Sequence, residues 1–280
     1  MKVNLFIVGA PKAGTTSLHF YLQQHPDVCM SIIKEPNYFT AKEVQKLYYD
    51  VSPVNSEDWY HSNFTEPTSK VIGEGSVSYL FYPEVPQKIY EYNPKAKILI
   101  ILRNPVQRAF SHYLMDYGLG LCNISLEKVL NNPLKYPQFY QQFIDLGMYY
   151  QQIKRYLDVF GHDQVKVMFY DDLKTDTDLF MKEVFSFLSI AAVDINTLVK
   201  NKFKQPSNKI IAILYQFKWL RSFLKIILKQ ESLIKIKKIF FKKGEKPFLD
   251  TSLKARIHNL YKKDIEKLSK LLSKDLSVWQ

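Results

Sequence analysis

One short segment of the chain, residues 9–17, combines two glycines, one lysine and three hydroxyl side chains. It reads Gly-Ala-Pro-Lys-Ala-Gly-Thr-Thr-Ser and lies between the apolar run Val3–Val8 and residues 17–22, whose apolar side chains have helical spacing. This order predicts a strand, a loop and a helix. Glycines let backbone N–H groups turn toward an anion, and a helix N-terminus adds partial positive charge. The segment therefore predicts a phosphate-binding loop.

The position of the lysine distinguishes this loop from the Walker loop of nucleotide kinases. In a Walker loop, Lys and then Ser or Thr follow the second of two glycines five positions apart. Gly9 and Gly14 have that spacing, but Thr15 occupies the lysine position and Lys12 lies within the loop. A P-loop kinase stays as an alternative function. The residues expected to bind the anion are Lys12, Ala13, Gly14, Thr15, Thr16 and Ser17.

A second phosphate-binding pair follows another apolar run. Residues 96–102 read as a buried parallel strand. Arg103 follows directly, Pro105 fits a first helical turn, and Ser111 lies about two turns along the predicted helix. The planar fork of an arginine and the compact hydroxyl of a serine suit one phosphate group. We therefore expect Arg103 and Ser111 to share a phosphate.

The two segments together resemble the phosphate-binding motifs of sulfotransferases that use 3′-phosphoadenosine 5′-phosphosulfate (PAPS). In that family the loop holds the 5′-phosphosulfate, and an Arg and a Ser at this spacing hold the 3′-phosphate, which ATP lacks. The resemblance implies PAPS as the sulfate donor, and it implies no metal. It also implies that Lys12 is catalytic, because it would stabilise charge on the bridging oxygen as the S–O bond breaks.

Further segments extend the resemblance. Residues 34–39, Lys-Glu-Pro-Asn-Tyr-Phe, resemble a segment of glycan sulfotransferases whose glutamate is the catalytic base. Residues 169–174 resemble a segment whose tyrosine lies near the adenine, and residues 264–279 resemble the closing helix of bacterial members. The resemblance thus implies that Glu35 takes the acceptor proton and that Tyr170 binds the cofactor. The acceptor it implies is a hydroxyl or amine of a carbohydrate or glycolipid.

One segment departs from the family pattern. Residues 73–79 resemble the Glu-Lys-Ser-Pro-x-Tyr segment, but Gly75 replaces the lysine and Val77 the proline. For Glu74 the resemblance favours a structural carboxylate. The missing lysine, together with a basic segment described below, leaves a non-enzymatic alternative, which is a membrane- or glycan-binding protein built on this scaffold.

Strand-like and helical patterns alternate along the chain. The strand-like runs are Val3–Val8, Lys70–Gly73, Lys97–Leu102 and Val165–Tyr170, and the helical stretches are Thr16–Gln24, Pro83–Glu91, Pro105–Tyr117, Gln138–Phe160 and Thr177–Leu188. Alternation of this kind predicts an α/β fold with a P-loop-like open parallel sheet flanked by helices. We expect a single domain over residues 1–280, with its ligands at the carboxyl ends of the strands.

Composition agrees with one enzyme-sized domain. With 280 residues, of which 46% are hydrophobic, the chain can bury a large core without disulfides. Cys29 and Cys122 are the two cysteines, and reduced thiols in a cytoplasmic protein are expected for them. The apolar opening is too short for a signal sequence or a membrane span. We expect a cytoplasmic, bacterial protein.

The net charge of +12 is concentrated in residues 209–243, which contain ten Lys or Arg residues and one acid. Lys218, Arg221, Lys225 and Lys229 are spaced three and four apart among apolar side chains, which predicts a basic amphipathic helix in this C-terminal region. Such a helix would contact an anionic membrane, line a cleft for an acidic acceptor, or pack on the core with a solvated lysine face. No nucleic-acid motif is present, so no nucleic-acid partner is expected.

Overall fold

The central element is a parallel sheet of five strands. The structure is a computed structural model, and it describes residues 2–49, 56–66, 68–197, 204–206, 241–243 and 247–279. The strands are β1 (Leu5–Gly9), β2 (Val28–Met30), β3 (Val71–Glu74), β4 (Lys97–Leu102) and β5 (Val165–Phe169). Their order is β2-β3-β1-β4-β5, and all four pairings are parallel.

The two central strands carry the core. Every residue of β1 and residues 98–102 of β4 are buried. Parallel strands covered by helices on both faces are continuous apolar runs, which is how these segments read in the sequence. Because β3 and β4 flank β1 on opposite sides, the strand order reverses at β1, and a crevice forms beyond its carboxyl end.

Helices cover both faces of this sheet. Those in the described part of the chain are α1 (Thr15–Leu22), α2 (Ala41–Gln45), α3 (Glu57–His61), α4 (Val85–Tyr92), α5 (Pro105–Gly118), α6 (Leu126–Asn131), α7 (Pro137–Phe143), α8 (Tyr149–Phe160), α9 (Tyr170–Thr175), α10 (Thr177–Leu188) and α11 (Thr251–Leu272). Short 3-10 turns lie at Tyr38–Thr40, Asp145–Gly147 and Ser277–Trp279. The α/β fold class expected from the sequence is confirmed.

Two expectations about individual elements were wrong. The strand β2 was not expected, because three residues are too few to give a periodic pattern. The single helix expected over residues 138–160 is divided into α7 and α8. The division lies at Gly147, where a Cβ atom would stand 2.7 Å from Oη of Tyr261. The Tyr261 hydroxyl donates to the carbonyl of Ile144 at 2.8 Å, and the same carbonyl accepts a hydrogen bond from the Gly147 N–H group at 2.8 Å, so the turn after α7 is held from both sides.

The closing helix α11 packs on α5 and α8. Its buried side chains, Ile257, Tyr261, Ile265 and Leu268, recur every three or four residues and form one apolar stripe. The carboxylate of Asp264 accepts hydrogen bonds from the Tyr150 N–H group at 3.2 and 3.3 Å, close to the N-terminus of α8. This contact caps α8 from outside and fixes α11 against the helices that carry the site.

Most of the basic segment, residues 209–240, lies outside the described residues. Its last three residues form strand β7 (Phe241–Lys243), which pairs antiparallel with β6 (Lys204–Pro206). The amphipathic helix expected over residues 218–229 lies outside the described residues and stays a prediction, whereas residues 241–243 of the basic segment are extended rather than helical, because they pair with β6. Within the ranges that the structure describes, no helix is both long and apolar enough to cross a bilayer.

Candidate active site

A cavity of about 480 Å³ opens at the carboxyl ends of the strands. Its wall brings together side chains that are more than 150 positions apart in the sequence. Those among them that the sequence motifs singled out are Lys12, Gly14, Thr15, Thr16, Ser17, Glu35, Arg103, Ser111 and Tyr170. Ala13 is fully buried and does not line the cavity, so it would contribute through its backbone alone.

The phosphate loop joins β1 to α1 through left-handed backbone conformations. Lys12 has φ 67° and Gly14, the N-cap of α1, has φ 92°. A Cβ atom on Gly14 would lie 2.8 Å from Leu173 and 3.1 Å from the Tyr170 ring. The glycine is therefore required twice, once by its φ and once by the close approach of α9. At the start of α1 the Ser17 N–H group donates to the Gly14 carbonyl at 2.9 Å, whereas the N–H groups before it have no acceptor within the helix and are available to an anion.

The side chain of Lys12 lies next to α5. Its Nζ lies 3.2 Å from the Sδ atom of Met115. Burial lowers the pKa of Lys12, the nearby charge of Asp116 opposes this shift, and the like charge of Arg103 adds to it. The lysine carbonyl accepts a hydrogen bond from Nη1 of Arg103 at 3.0 Å. The two sequence motifs are thus in direct contact.

Arg103 follows the last residue of β4 and lies against α9. Its guanidinium carbon is 4.7 Å from the centroid of the Tyr170 ring, a cation–π contact. Its Nε is buried and has no hydrogen-bond partner. An arginine donor buried without a partner is costly unless a ligand completes it, so Nε is available to an anion. Burial is also the main cause that lowers the pKa of Arg103. Ser111 lies on α5 and lines the same cavity.

Glu35 reaches the cavity from a strained turn. Its φ is 65°, and its side chain is 37% exposed and ion-paired with Lys34. The Asn37 side chain donates to the Glu35 carbonyl at 2.8 Å, while the Asn37 N–H group donates to Oγ of Ser76 at 3.0 Å. Ser78 donates to Oδ1 of Asn37 at 2.7 Å. These bonds fix the turn to the segment that follows β3 and hold Glu35 beside the phosphate loop.

Glu74 has a different environment. It is fully buried at the end of β3 and accepts hydrogen bonds from Tyr60 (2.9 Å), Tyr79 (2.8 Å) and Ser76 (2.6 Å). Burial raises its pKa to about 7, although the three hydroxyl donors oppose the shift. Glu74 does not line the cavity. Its bonds join β3 to α3 and to the turn that holds Asn37.

A polar cluster beside Lys12 was missed by the sequence analysis. The hydroxyls of Tyr48 and Tyr49 donate to Oδ2 of Asp116 at 2.5 and 2.9 Å. The Tyr49 hydroxyl also lies 2.8 Å from Nε2 of His112. His112 directly follows Ser111 on α5, and Asp116 lies one turn further along the same helix. That spacing was the available signal, but nothing local in the sequence connects it to the two tyrosines.

Within this cluster, His112 is uncharged and Asp116 is charged. Burial, together with the charges of Arg108 and Lys12, lowers the pKa of His112 well below its usual value and keeps the ring neutral. Burial raises the pKa of Asp116 to about 6. Its Oδ1 is buried without a hydrogen-bond partner. Near neutral pH, Asp116 is therefore the negative charge on α5 that balances Lys12.

Comparison with known proteins shows the family. The profile of the family described as "Sulfotransferase domain" matches residues 2–271. The chain therefore belongs to the sulfotransferase domain family, as its motifs predicted. The family and the relatives described below indicate a transferase of the sulfotransferase class, which the P-loop kinase alternative does not fit.

Curated relatives of the chain carry the names of glycan-modifying enzymes. The chain is 27% identical over 67% of its length to carbohydrate sulfotransferase 15 of Rattus norvegicus, of which it covers 44%. It is 29% identical over 70% of its length to bifunctional heparan sulfate N-deacetylase/N-sulfotransferase 1 of Caenorhabditis elegans, of which it covers 23%. The chain thus spans less than half the length of these relatives.

Solved structures of similar fold cover nearly the whole chain. A sulfotransferase from Alicyclobacillus acidocaldarius is 28% identical, with a TM-score of 0.74 over 100% of this chain and 99% of that one. A mouse sulfotransferase complexed with PAP is 16% identical, with a TM-score of 0.54 over 95% of this chain and 84% of that one. The second likeness shows the fold alone. The P-loop-like fold class is confirmed by these neighbours.

Proposed function

We propose that this enzyme transfers the sulfuryl group of PAPS to a hydroxyl or amine of a carbohydrate or glycolipid. The observation that carries the proposal is the contact between the two phosphate motifs. Nη1 of Arg103 binds the Lys12 carbonyl while Nε of the same guanidinium has no partner. One arginine therefore joins the loop and retains a donor for a second anionic group, which suits a nucleotide with phosphates at both ends.

The residues divide into two phosphate sites. Lys12, Thr15, Thr16 and Ser17, with the backbone of Ala13 and Gly14, would hold the 5′-phosphosulfate against the N-terminus of α1. Arg103 and Ser111 would hold the 3′-phosphate. Tyr170, which already packs on Arg103, would lie near the adenine. The mouse neighbour of the same fold is complexed with PAP, and the two phosphate motifs of this chain suit a ligand of that kind.

The chemical step needs a base and a cation. PAPS supplies an activated sulfuryl group when it is bound. Glu35 would take the proton of the acceptor hydroxyl or amine, so that the oxygen or nitrogen attacks in line with the leaving group. Lys12 would stabilise the negative charge that develops on the leaving oxygen. As in phosphoryl transfer, most of the acceleration would come from positioning and electrostatics. The proposal requires no metal.

The acceptor class and the location of the protein also belong to the proposal. The names of the curated relatives support a carbohydrate acceptor. We further propose a bacterial, cytoplasmic protein. Residues 209–243 would make a peripheral contact with an anionic membrane through their ten cationic side chains.

A thermal-shift measurement tests the donor site. The 3′,5′-bisphosphate nucleotide should raise the melting temperature, because a ligand that binds only the folded state stabilises it. ATP with magnesium should do much less. Lys12→Ala and Arg103→Ala should each weaken binding roughly ten- to a hundredfold, since each removes a charge-assisted contact of about 1.5–3 kcal/mol.

Lys128→Ala, on the exposed side of α6, is the matched control and should leave the shift unchanged. Transfer of labelled sulfate from PAPS to a mixture of glycans would complete the assignment. Equal stabilisation by ATP and by the bisphosphate would contradict the proposed donor.

A further inference from the structure

The cavity wall beyond the phosphate-binding residues is mostly apolar and aromatic. It is formed by α2 and the residues after it, by the segment after β3, and by α7 and the turn after it. Besides Val77, the apolar and aromatic side chains of this wall are Val44, Leu47, Tyr49, Phe81, Tyr82 and Leu146. We call these six residues the acceptor wall. Phe81 and Tyr82 are partly exposed, so their rings have surface left for a ligand.

Uncharged polar groups accompany the acceptor wall. Gln141 is partly exposed, and its side chain approaches the Tyr82 hydroxyl at 3.5 Å, the limit of a hydrogen bond. Amide and phenol groups at that separation keep donors and acceptors free for a ligand. A sugar offers the matching chemistry, because it has an apolar C–H face and a rim of hydroxyls. Pockets that orient small ligands typically combine apolar area with a few polar groups in this way.

The charged side chains that line the cavity all have roles in the proposed function. Among the described residues that line it, the cations are Lys12 and Arg103 and the single anion is Glu35. Both cations serve the donor in the proposed function. His112, which also lines the cavity, is kept neutral by burial, which lowers its pKa. An acceptor carboxylate would therefore meet the negative charge of the donor and the carboxylate of Glu35, which is ion-paired with Lys34, and like charges at short range repel.

We propose that the acceptor is an uncharged sugar whose ring packs on the acceptor wall, and that acceptors bearing carboxylate or sulfate groups are disfavoured. This inference rests on the proposed function and gives its substrate class. It separates this chain from enzymes of anionic polysaccharides. Specificity arises because the described wall offers ring faces and amides to the acceptor but no cation beyond those that hold the donor.

The test compares two acceptors that differ at C6, where octyl glucoside has a hydroxymethyl group and octyl glucuronide a carboxylate, with labelled PAPS as donor. The full chain should sulfate the glucoside with a kcat/KM about fivefold higher or more, the factor that one charge contact near solvent supplies. A higher kcat/KM for the glucuronide would overturn the inference. It would indicate that residues outside the described ranges, such as the basic segment, supply cations to the acceptor.

Two variants localise the effect to the acceptor wall. Gln141→Lys should raise the kcat/KM of the glucuronide relative to the glucoside about fivefold, whereas Gln151→Lys, an exposed position on α8, should not. Tyr82→Ser should raise KM for the glucoside, because it removes the ring. Tyr82→Phe keeps the ring and should leave this KM unchanged. An unchanged acceptor ratio in Gln141→Lys would count against the proposed wall.

The bisphosphate thermal shift separates the two proposals. If the nucleotide stabilises the protein but neither glycoside is sulfated, the acceptor inference fails while the donor site stands. If the nucleotide does not bind, the proposed function fails, and the acceptor inference fails with it.

Discussion

Two carboxylates near the phosphate loop have opposite environments. Glu35 lines the cavity and is partly exposed, whereas Glu74 is fully buried among three hydroxyl donors. Glu35→Gln should therefore lower kcat about 10²–10⁴-fold, since it removes a general base with little change in shape. Bisphosphate affinity should stay nearly unchanged. Steady-state kinetics with a saturating acceptor, beside a binding titration, would measure both effects.

Glu74→Gln is the comparison. The amide nitrogen that this substitution introduces cannot accept hydrogen bonds from the three hydroxyl groups. The variant should therefore lose mainly stability or cofactor affinity. Near-normal turnover in Glu35→Gln, combined with the large kcat loss in Glu74→Gln, would reverse the assignment of the base.

Gly14 is a second residue with a sharp expectation. Gly14→Ala places a side chain at φ 92° and a Cβ atom 2.8 Å from Leu173, so it should both destabilise the fold by about 1–3 kcal/mol and abolish bisphosphate binding. Gly161→Ala is a matched control, since its φ is 73° but no atom lies within 4 Å of the added Cβ. It should cost stability alone. Thermal melts with and without the nucleotide would separate the two outcomes, and equal nucleotide shifts in both variants would contradict this account of the loop.

Among the elements, the contact between residues 48–49 and α5 controls the charge of the site. Asp116 is the α5 charge beside Lys12, and Tyr48 and Tyr49 hold its carboxylate. Because Asp116 raises the pKa of Lys12 against burial, Asp116→Asn should lower that pKa. The other charged groups that act on Lys12 are Arg103, Glu35 and Lys34, and the variant leaves them in place.

The expected result is a shift in the pH profile of bisphosphate affinity. Affinity should fall at a lower alkaline pH in Asp116→Asn than in the wild type, because Lys12 loses its proton earlier. A structural defect alone would lower affinity at all pH values without moving this limb. An alkaline limb that stays in place would contradict the role given to Asp116.

At the scale of the whole molecule, buried titratable groups set how stability depends on pH. Burial raises the pKa of Glu74 from 4.5 to about 7, so the folded state binds more protons than the unfolded state in that window. Stability from this group is present below pH 4.5 and is lost as pH rises through 7. Burial lowers the pKa of His19 from 6.5 to about 4, and its contribution has the opposite sign, lost as pH falls from 6.5 to 4.

The two dependences oppose each other between pH 4.5 and 6.5, so variants are needed to separate them. The free energy of unfolding of the wild type exceeds that of Glu74→Gln by an amount that should decrease by about 3 kcal/mol as the pH rises from 4.5 to 8. A pKa shift of this size implies a change of that order of magnitude. Urea unfolding at a series of pH values would measure the difference. A destabilisation that does not vary with pH would show that Glu74 titrates near its usual range.

The sequence by itself determined the parts of this protein that depend on neighbours along the chain. The loop of residues 9–17, the Arg103–Ser111 pair and the alternation of strands and helices are local patterns. Strand burial gives continuous apolar runs and helix burial gives a 3.6-residue period, so both can be read without the fold. Because parallel strands place their carboxyl ends at one edge, the meeting of the two phosphate motifs also followed from the sequence.

Tertiary structure alone decided the rest. The end of α7 depends on Tyr261, which is 117 positions from the carbonyl that it binds. The cluster at Asp116 depends on two tyrosines at least 67 positions away, and the acceptor wall is assembled from three separate segments. Such contacts leave no periodic signal, because hydrogen bonds and ring packing between distant residues are set only when the elements pack. The residues of the donor site could therefore be predicted from the sequence, whereas the surroundings of Lys12 and the character of the acceptor site could not.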